Sequence, residues 1–176
     1  MKYLETAIPG ALQIALEPIP DERGYFCRIF DAEDFRAHGL NGDVCQTSIS
    51  FNTFAGTLRG MHYQASPNAE CKLVRCTRGA VWDVLADLRP ESPAYCQWWA
   101  VELRAATGSM LYVPAGVAHG FLTLEADSEV SYQIAQPYVP ASARGFRWDD
   151  PAFAIEWPAE PHVISERDRS HPAFLR

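Results

Sequence analysis

Two histidines, His62 and His119, are the side chains of this sequence best suited to acid–base chemistry. Each stands in a strand-like segment with a glycine within two residues, and such small neighbours leave room for a ligand to approach a ring nitrogen. A histidine changes its protonation near neutral pH, so it is the commonest general base in enzymes. Arg59 and Lys72 lie close by in sequence. This grouping favours a functional site over two isolated structural histidines.

The segment from Pro114 to Gly120 reads Pro-x-Gly-x-x-His-Gly and resembles the second motif of the cupins. Metal-binding cupins combine this motif with an earlier His-x-His and a nearby glutamate. Here the earlier segment reads His62-Tyr63-Gln64, so the second histidine is missing. A centre of three histidines and one glutamate cannot be built in that way. The sequence therefore predicts no catalytic metal and disfavours a metal-dependent dioxygenase.

Short apolar and aromatic runs at close, regular spacing predict many strands and few helices. The predicted strands span residues 11–16, 25–30, 72–77, 80–88, 97–103, 110–113, 120–124 and 129–134, and the two histidine segments are read as strand-like. A short helix is predicted over 31–38, with Asp31 as its N-cap and Gly39 as its stop. The C-terminal third is expected to wrap the strands in loops and a helical turn. This pattern is typical of a β-sandwich or barrel with a ligand in its mouth or interior.

The composition limits the class of protein. A length of 176 residues without a linker or repeat predicts a single domain over residues 1–176. The net charge of −7 argues against a nucleic-acid partner, and the lack of a long apolar run argues against a membrane span. The N-terminal residues show no signal pattern, so a cytoplasmic location is expected. Five cysteines without a CxxC pair argue against a disulfide framework.

Motifs that follow one another along nearly the whole chain give a specific resemblance. They include residues 21–26 (DERGYF), 56–64 (GTLRGMHYQ), 72–76 (KLVRC), 82–89 (WDVLADLR), 112–121 (YVPAGVAHGF), 144–148 (RGFRW) and 155–158 (IEWP), with Tyr132, Ser165 and Asp168. In this order and at this spacing, they resemble the dTDP-4-dehydrorhamnose 3,5-epimerase family. The resemblance implies an all-β, cupin-type double-stranded β-helix (jelly roll) with a few short peripheral helices.

The resemblance also implies a reaction, the inversion of C3, C5 or both in a nucleotide-linked 4-keto-6-deoxy sugar. Such an inversion needs a base on one face, an acid on the other and a positive group near the enolate oxygen. By resemblance His62 is the base, and Asp168 holds its imidazole in the right tautomer. Tyr132 returns the proton, and Lys72 stabilises the enolate. No cofactor is implied.

Nine further residues match positions that bind the substrate in the family. They are Arg23, Arg28, Gln46, Ser48, Arg59, His119, Tyr138, Arg144 and Trp148. The family pattern is a homodimer with exchanged N-terminal strands, in which Arg23 reaches into the neighbouring subunit's site. Asp83 also lies at a shared position, and the resemblance suggests a place near the base.

Two departures from the family pattern leave the substrate open. Arg28 stands where the family usually carries glutamate, and Ser48 stands where it usually carries asparagine. A cation in place of an acceptor would change which nucleobase edge is preferred, so a CDP- or GDP-linked sugar is an alternative. A single-centre epimerase is another alternative, as is a cupin that binds a nucleotide sugar without catalysis. A 3,4-ketoisomerase is disfavoured, because both Lys72 and Tyr132 are present.

Overall fold

Residues 1–175, which the computed structural model describes, form mostly β-strands. The strands are β1 (Lys2–Glu5), β2 (Leu12–Ala15), β3 (Ile19–Asp21), β4 (Gly24–Phe26), β5 (Gln46–Asn52), β6 (Thr57–Gln64), β7 (Lys72–Arg78), β8 (Ala80–Asp87), β9 (Trp98–Arg104), β10 (Met110–Val113), β11 (Val117–Thr123), β12 (Ser128–Ile134), β13 (Ala143–Gly145) and β14 (Val163–Ile164). The helices are α1 (Ala32–Ala37) and α2 (Glu166–Arg169). Neither of these helices combines the length and the apolar character that crossing a bilayer requires.

Two sheets carry most of the strands. The first has the order β1-β2-β10-β7-β12-β5, and the second has the order β13-β6-β11-β8-β9. All pairs within these two orders are antiparallel, whereas β14 adds to β6 in parallel. Strands β3 and β4 form a separate hairpin. The arrangement is a cupin-type jelly roll, and it confirms the predicted fold class.

The two sheets pack face to face over a shared apolar core. Val74 and Val130 of the first sheet meet Leu85 and Phe121 of the second in this core, and each is at most 1% exposed. Successive side chains on a strand point to opposite faces, so Val84 beside Leu85 faces outward instead. Both faces of the central strands are therefore buried, which explains their nearly continuous apolar sequences.

A separate apolar cluster covers the outer face of each sheet. The outer cluster of the second sheet combines Met61, Val84, Ala86 and Ala118 with Phe146, Phe153 and Ile155 from the C-terminal segment. On the first sheet, Phe35 of α1 packs into a cluster with Ile14, Leu40, Leu73, Met110 and Tyr112. The C-terminal segment thus wraps the strands and adds one helical turn, as the sequence predicts.

Helix α1 confirms the helix prediction. The Asp31 carboxylate accepts hydrogen bonds from the backbone N–H groups of Glu33 and Asp34, as an N-cap does. Gly39 follows the helix with φ of +72°, a left-handed conformation that glycine adopts without strain. The helix therefore begins and ends where the sequence signals place it.

Other boundaries differ from the prediction. The strand predicted over residues 25–30 is wrong beyond Phe26, because within residues 1–175 β4 pairs with β3 alone and this pairing ends at Phe26. The sequence analysis also misses β1, β3, β5, β13 and β14. β13 and β14 span only three and two residues, and their pairing with β6 bridges long stretches of chain. Such non-local pairing leaves no periodic signal in a short segment.

The glycines beside the histidines serve strand packing. A Cβ atom at Gly60 would lie 2.6 Å from the Cα atom of Gly120, and one at Gly120 would lie 2.6 Å from Met61 Sδ. Gly60 also has φ of +144°, which favours glycine. Strands β6 and β11 therefore approach each other closely because both positions lack a side chain. The expectation that these glycines make room for a ligand is corrected accordingly.

A buried carboxylate fixes the end of β8. Asp87 is fully buried and accepts hydrogen bonds from Arg89 Nε at 2.8 Å, Arg89 Nη2 at 2.6 Å and Ser92 Oγ at 2.6 Å. Burial alone would raise the pKa of Asp87, but these donors outweigh it and hold the pKa below its usual range. Arg89 also donates to the carbonyl of Pro9, which ties the N-terminal loop to the second sheet.

We expect Arg89→Ala to lower the free energy of unfolding by about 3 kcal/mol, because it leaves the Asp87 carboxylate charged and buried without its main partner. The matched control is Arg104→Ala, since Arg104 pairs with Glu102 and Glu125 on the exposed surface. That substitution should leave the free energy of unfolding nearly unchanged, because solvent screens an exposed ion pair. Urea unfolding followed by circular dichroism measures both, and equal losses would contradict the role given to Asp87.

Candidate active site

A cavity of about 270 Å³ opens between the two sheets. Its lining combines titratable, polar and aromatic side chains: Gln46, Ser50, Arg59, His62, Glu70, Lys72, His119, Phe121, Tyr132, Ile134 and Tyr138. A second pocket of about 180 Å³ shares His62 and Lys72 with it and continues to Arg144 and Arg167. The two pockets form one groove with arginines at its outer end.

His62 is held by a carboxylate from the C-terminal segment. Its Nε2 atom lies 2.6 Å from Oδ1 of Asp168, which is 4% exposed. The backbone N–H of Gly60 also donates to Asp168, at 3.4 Å. Burial alone would raise the pKa of Asp168, but His62 and the Gly60 N–H together lower it below its usual range. Asp168 is therefore ionised near neutral pH.

The tautomer of His62 follows from this contact. An ionised carboxylate only accepts hydrogen bonds, so the bonded Nε2 atom must carry the proton. The lone pair of the neutral ring then lies on Nδ1, and the ring is 38% exposed. His62 can therefore take up a proton at Nδ1 while Asp168 stabilises the resulting imidazolium.

The position of Asp168 depends on strand β14 and helix α2. Val163 and Ile164 pair in parallel with the start of β6, the strand that carries His62. The chain then turns into α2, whose N-cap Ser165 accepts a hydrogen bond from the Asp168 backbone N–H at 3.1 Å. Asp168 is thereby fixed against β6, and its acidic and basic neighbours in sequence remain exposed.

A second histidine–aspartate pair lies on the neighbouring strands. His119 Nε2 is 2.9 and 3.0 Å from the two carboxylate oxygens of Asp83, and both residues are buried. His119 on β11 is in register with His62 on β6. Asp83 therefore orients His119, whereas Asp168 is the carboxylate that contacts His62.

Tyr132 approaches the cavity from the other sheet. It lies on β12 of the first sheet, whereas His62 lies on β6 of the second, so the two reach the cavity from opposite walls. Its hydroxyl is 3.4 Å from Ser50 Oγ. Burial raises the pKa of Tyr132 far above its usual range. The phenol therefore stays protonated and has a proton to give.

The amino group of Lys72 lies in the cavity beside the carboxylate of Glu70. Its Nζ atom is 2.8 Å from Oε1 of Glu70, and both side chains are about 10% exposed or less. The other Glu70 oxygen accepts a hydrogen bond from Gln64 Nε2 at 2.8 Å. The pairing offsets the cost of burying either charge alone.

Most residues assigned to substrate binding lie along the groove. Arg59 Nε donates to Asn52 Oδ1 at 2.7 Å and fixes the guanidinium at the cavity wall. Gln46 Oε1 accepts the Tyr138 backbone N–H at 2.8 Å, which joins two lining residues at the mouth. Ser48 is exposed and lies between Gln46 and Ser50 on the same face of β5.

Three of the assigned residues lie away from the groove within the described chain. Arg23 sits on the β3–β4 hairpin, 82% exposed, and pairs only with Asp21. Arg28 pairs with Asp31 at 2.6 Å. The indole of Trp148 is 6.5 Å from that of Trp157, on the outer side of the second sheet. None of the three lines either pocket in residues 1–175.

Two residues near the catalytic side chains escape the sequence analysis. Glu70 stands in a loop, where a glutamate usually faces water, and only its contact with Lys72 distinguishes it. His171 follows α2, and its Nε2 atom lies 3.7 Å from Asp168 Oδ1. That nitrogen is buried and has no hydrogen-bond partner among the described residues. Neither residue belongs to a sequence pattern that could have identified it.

Comparisons with known proteins identify relatives in sequence and in fold. The family model of dTDP-4-dehydrorhamnose 3,5-epimerase matches residues 5–175. The enzyme of that name from Sinorhizobium fredii is 46% identical over 155 residues, which cover 88% of this chain and 80% of the relative. The crystal structure of the Elizabethkingia anophelis enzyme has a TM-score of 0.95 at 36% identity and covers 99% of this chain and 96% of its own.

A further solved structure, the Legionella pneumophila dTDP-6-deoxy-D-glucose-3,5-epimerase, is in complex with dTDP-4-keto-L-rhamnose. It is 33% identical with a TM-score of 0.91, covering 98% of this chain and 92% of its own. The match of the family model extends over nearly all of the chain, and the relatives agree with it in sequence and in fold. This chain belongs to the dTDP-4-dehydrorhamnose 3,5-epimerase family.

Proposed function

We propose that this protein inverts C3 and C5 of a dTDP-linked 4-keto-6-deoxyglucose, a step in the biosynthesis of a deoxysugar. The observation that carries the proposal is the placement of His62 and Tyr132 on opposite walls of one cavity. Inversion requires removal of a proton from one face of a carbon and its return to the other. The names and bound sugar of the relatives support the substrate class.

The reaction begins with proton transfer from the sugar to His62. Nδ1 takes the proton from the carbon beside the C4 ketone, and the C–H electron pair moves into the enolate. Lys72 Nζ lies in the same cavity and stabilises the negative oxygen. Asp168 stabilises the imidazolium through its 2.6 Å hydrogen bond.

Reprotonation completes the inversion. The Tyr132 hydroxyl delivers its proton to the opposite face of the same carbon, and the ketone re-forms. Both side chains then exchange protons with water and return to their starting states. The substrate gains and loses no electrons overall, so the chemistry needs no redox cofactor.

The second pocket is the proposed binding region for the diphosphate. Arg144 and Arg167 line it beside His62, and the planar guanidinium group suits phosphate oxygens. Arg59 stands at the wall of the neighbouring cavity. The sugar would thus occupy the cavity, with the nucleotide directed toward the outer arginines.

A homodimer is proposed from the exposed hairpin. Ile19, Tyr25 and Phe26 are 63–69% exposed on β3 and β4, and Ile49 on the edge strand β5 is 65% exposed. Apolar side chains grouped in this way mark an interaction surface. A second copy that covers the hairpin would bring Arg23 toward its partner's groove, as the family resemblance implies.

Incubation with dTDP-4-keto-6-deoxyglucose in heavy water should place deuterium at both C3 and C5. Each enolate is reprotonated from groups that exchange with solvent, and NMR of the sugar follows both carbons. Deuterium at one carbon only would replace the proposal with a single-centre epimerase. No exchange with the dTDP, CDP and GDP sugars would leave a binding protein without the chemistry.

Asp168→Asn should lower kcat by about 10³-fold or more while changing KM little. The amide would donate to Nε2, so the ring proton would move to Nδ1 and remove the base. Asp150→Asn is the control, because Asp150 is also buried but accepts backbone N–H groups far from the cavity. An equal loss of kcat in both variants would contradict the assignment.

Mixing two inactive variants tests the exchanged arm. His62→Ala and Arg23→Ala chains that are unfolded and refolded together should recover about a quarter of the parent activity, since half of the dimers are mixed and each has one intact site. If Arg23 serves its own subunit, no mixed dimer has an intact site and no activity returns. Sedimentation velocity of the parent protein checks the dimer itself.

A further inference from the structure

His171 adds a third metal-binding side chain to the pair that performs the proposed reaction. One ring nitrogen of His62, one carboxylate oxygen of Asp168 and one ring nitrogen of His171 all lie within 4.8 Å of one another. His62 and His171 are each partly exposed, and Asp168 is buried between them. Two histidines and one carboxylate form a ligand set that zinc accepts, with one position left for water.

The spacing of these atoms suits a small cation. Zinc binds nitrogen and oxygen ligands at roughly 2.0–2.2 Å, so neighbouring ligand atoms around a tetrahedral ion stand about 3.4 Å apart. The contacts of Asp168 Oδ1 with His62 and His171 measure 2.6 and 3.7 Å, which bracket that value. A bound ion would lengthen the shorter of these contacts and shorten the longer one.

His171 provides evidence for a ligand that is independent of the interatomic distances. Its Nε2 atom is buried, points toward Asp168 and has no hydrogen-bond partner among the described residues. A buried polar atom without a partner is costly and calls for an explanation. The ring also lies close to Gly145, where a Cβ atom would clash with it, so the glycine leaves the space that the ring occupies.

We propose that His62, Asp168 and His171 form an inhibitory zinc site. Zinc would take the lone pair of His62 Nε2, and the single proton of the neutral ring would move to Nδ1. No proton leaves the ring, but Nδ1 then lacks the lone pair that accepts the substrate's proton. The inhibition rests on the proposed epimerase reaction, whereas zinc binding does not.

Zinc binding is measured first, by competition with a chromophoric chelator on the metal-stripped dimer. The parent protein should bind one zinc ion per chain. His171→Ala should weaken binding by about tenfold or more, because even residues behind the ligands contribute that much. His38→Ala is the control, since His38 lies exposed on the outer face of the first sheet. The absence of zinc binding by the parent protein would overturn the site.

Inhibition is measured second, by deuterium exchange in the presence of zinc. Exchange by the parent protein and by His38→Ala should fall as zinc occupies the site and return on addition of EDTA. His171→Ala should keep its basal exchange at the same zinc concentrations. Inhibition of His171→Ala at the concentrations that inhibit the parent would overturn the proposal.

A second variant and a crystallographic measurement separate loss of the zinc site from a structural effect of removing the His171 ring. His171→Gln fills more of the space against Gly145 with a poor zinc ligand, and it should behave like His171→Ala. An anomalous zinc peak between His62, Asp168 and His171 in crystals of the parent would support the site directly. If the parent binds zinc through these residues but exchanges no sugar proton, the metal site stands and the proposed reaction fails.

Discussion

The hydrogen bond between Asp168 and Nε2 of His62 decides which ring nitrogen faces the cavity. Every step of the proposed chemistry depends on that choice, because only Nδ1 then has a free lone pair. The bond in turn depends on the parallel pairing of β14 with β6 and on the short helix that follows. The outer packing of the C-terminal segment on the second sheet is therefore part of the proposed catalytic arrangement.

The charges of the interior are arranged in local pairs. Asp83 is held by His119, Asp87 by Arg89, and Lys72 by Glu70. A buried polar or charged group without a partner would destabilise the fold, whereas a partner within hydrogen-bond distance offsets the cost of its burial. The overall charge of −7 consequently says little about the groove, where arginines and Lys72 provide the positive groups an anionic substrate needs.

Sequence reasoning reached the fold class and the two histidines, because strand-like alternation and histidines beside glycines are local signals. It could not reach the partners of those histidines from local signals. Asp168 stands in a charged run that reads as surface, and only the family resemblance singled it out. Glu70 and His171 acquire their surroundings from chain segments far away in sequence. Some strands were missed for a similar reason. For example, β14 spans only two residues, and its parallel pairing with β6 is what makes it a strand.

His62, the proposed base, and Asp168 are separated by 106 residues along the chain. During synthesis His62 therefore leaves the ribosome long before the residue that sets its tautomer. Strand β6 can pair with β11 and β13 earlier, but the start of the strand, at Thr57 and Leu58, pairs with β14 only later. A nascent chain can thus form much of the jelly roll while it still lacks an oriented base. The proposed chemistry would become available only after this segment has docked, so catalytic competence would follow the synthesis of the twelve strands β1 to β12.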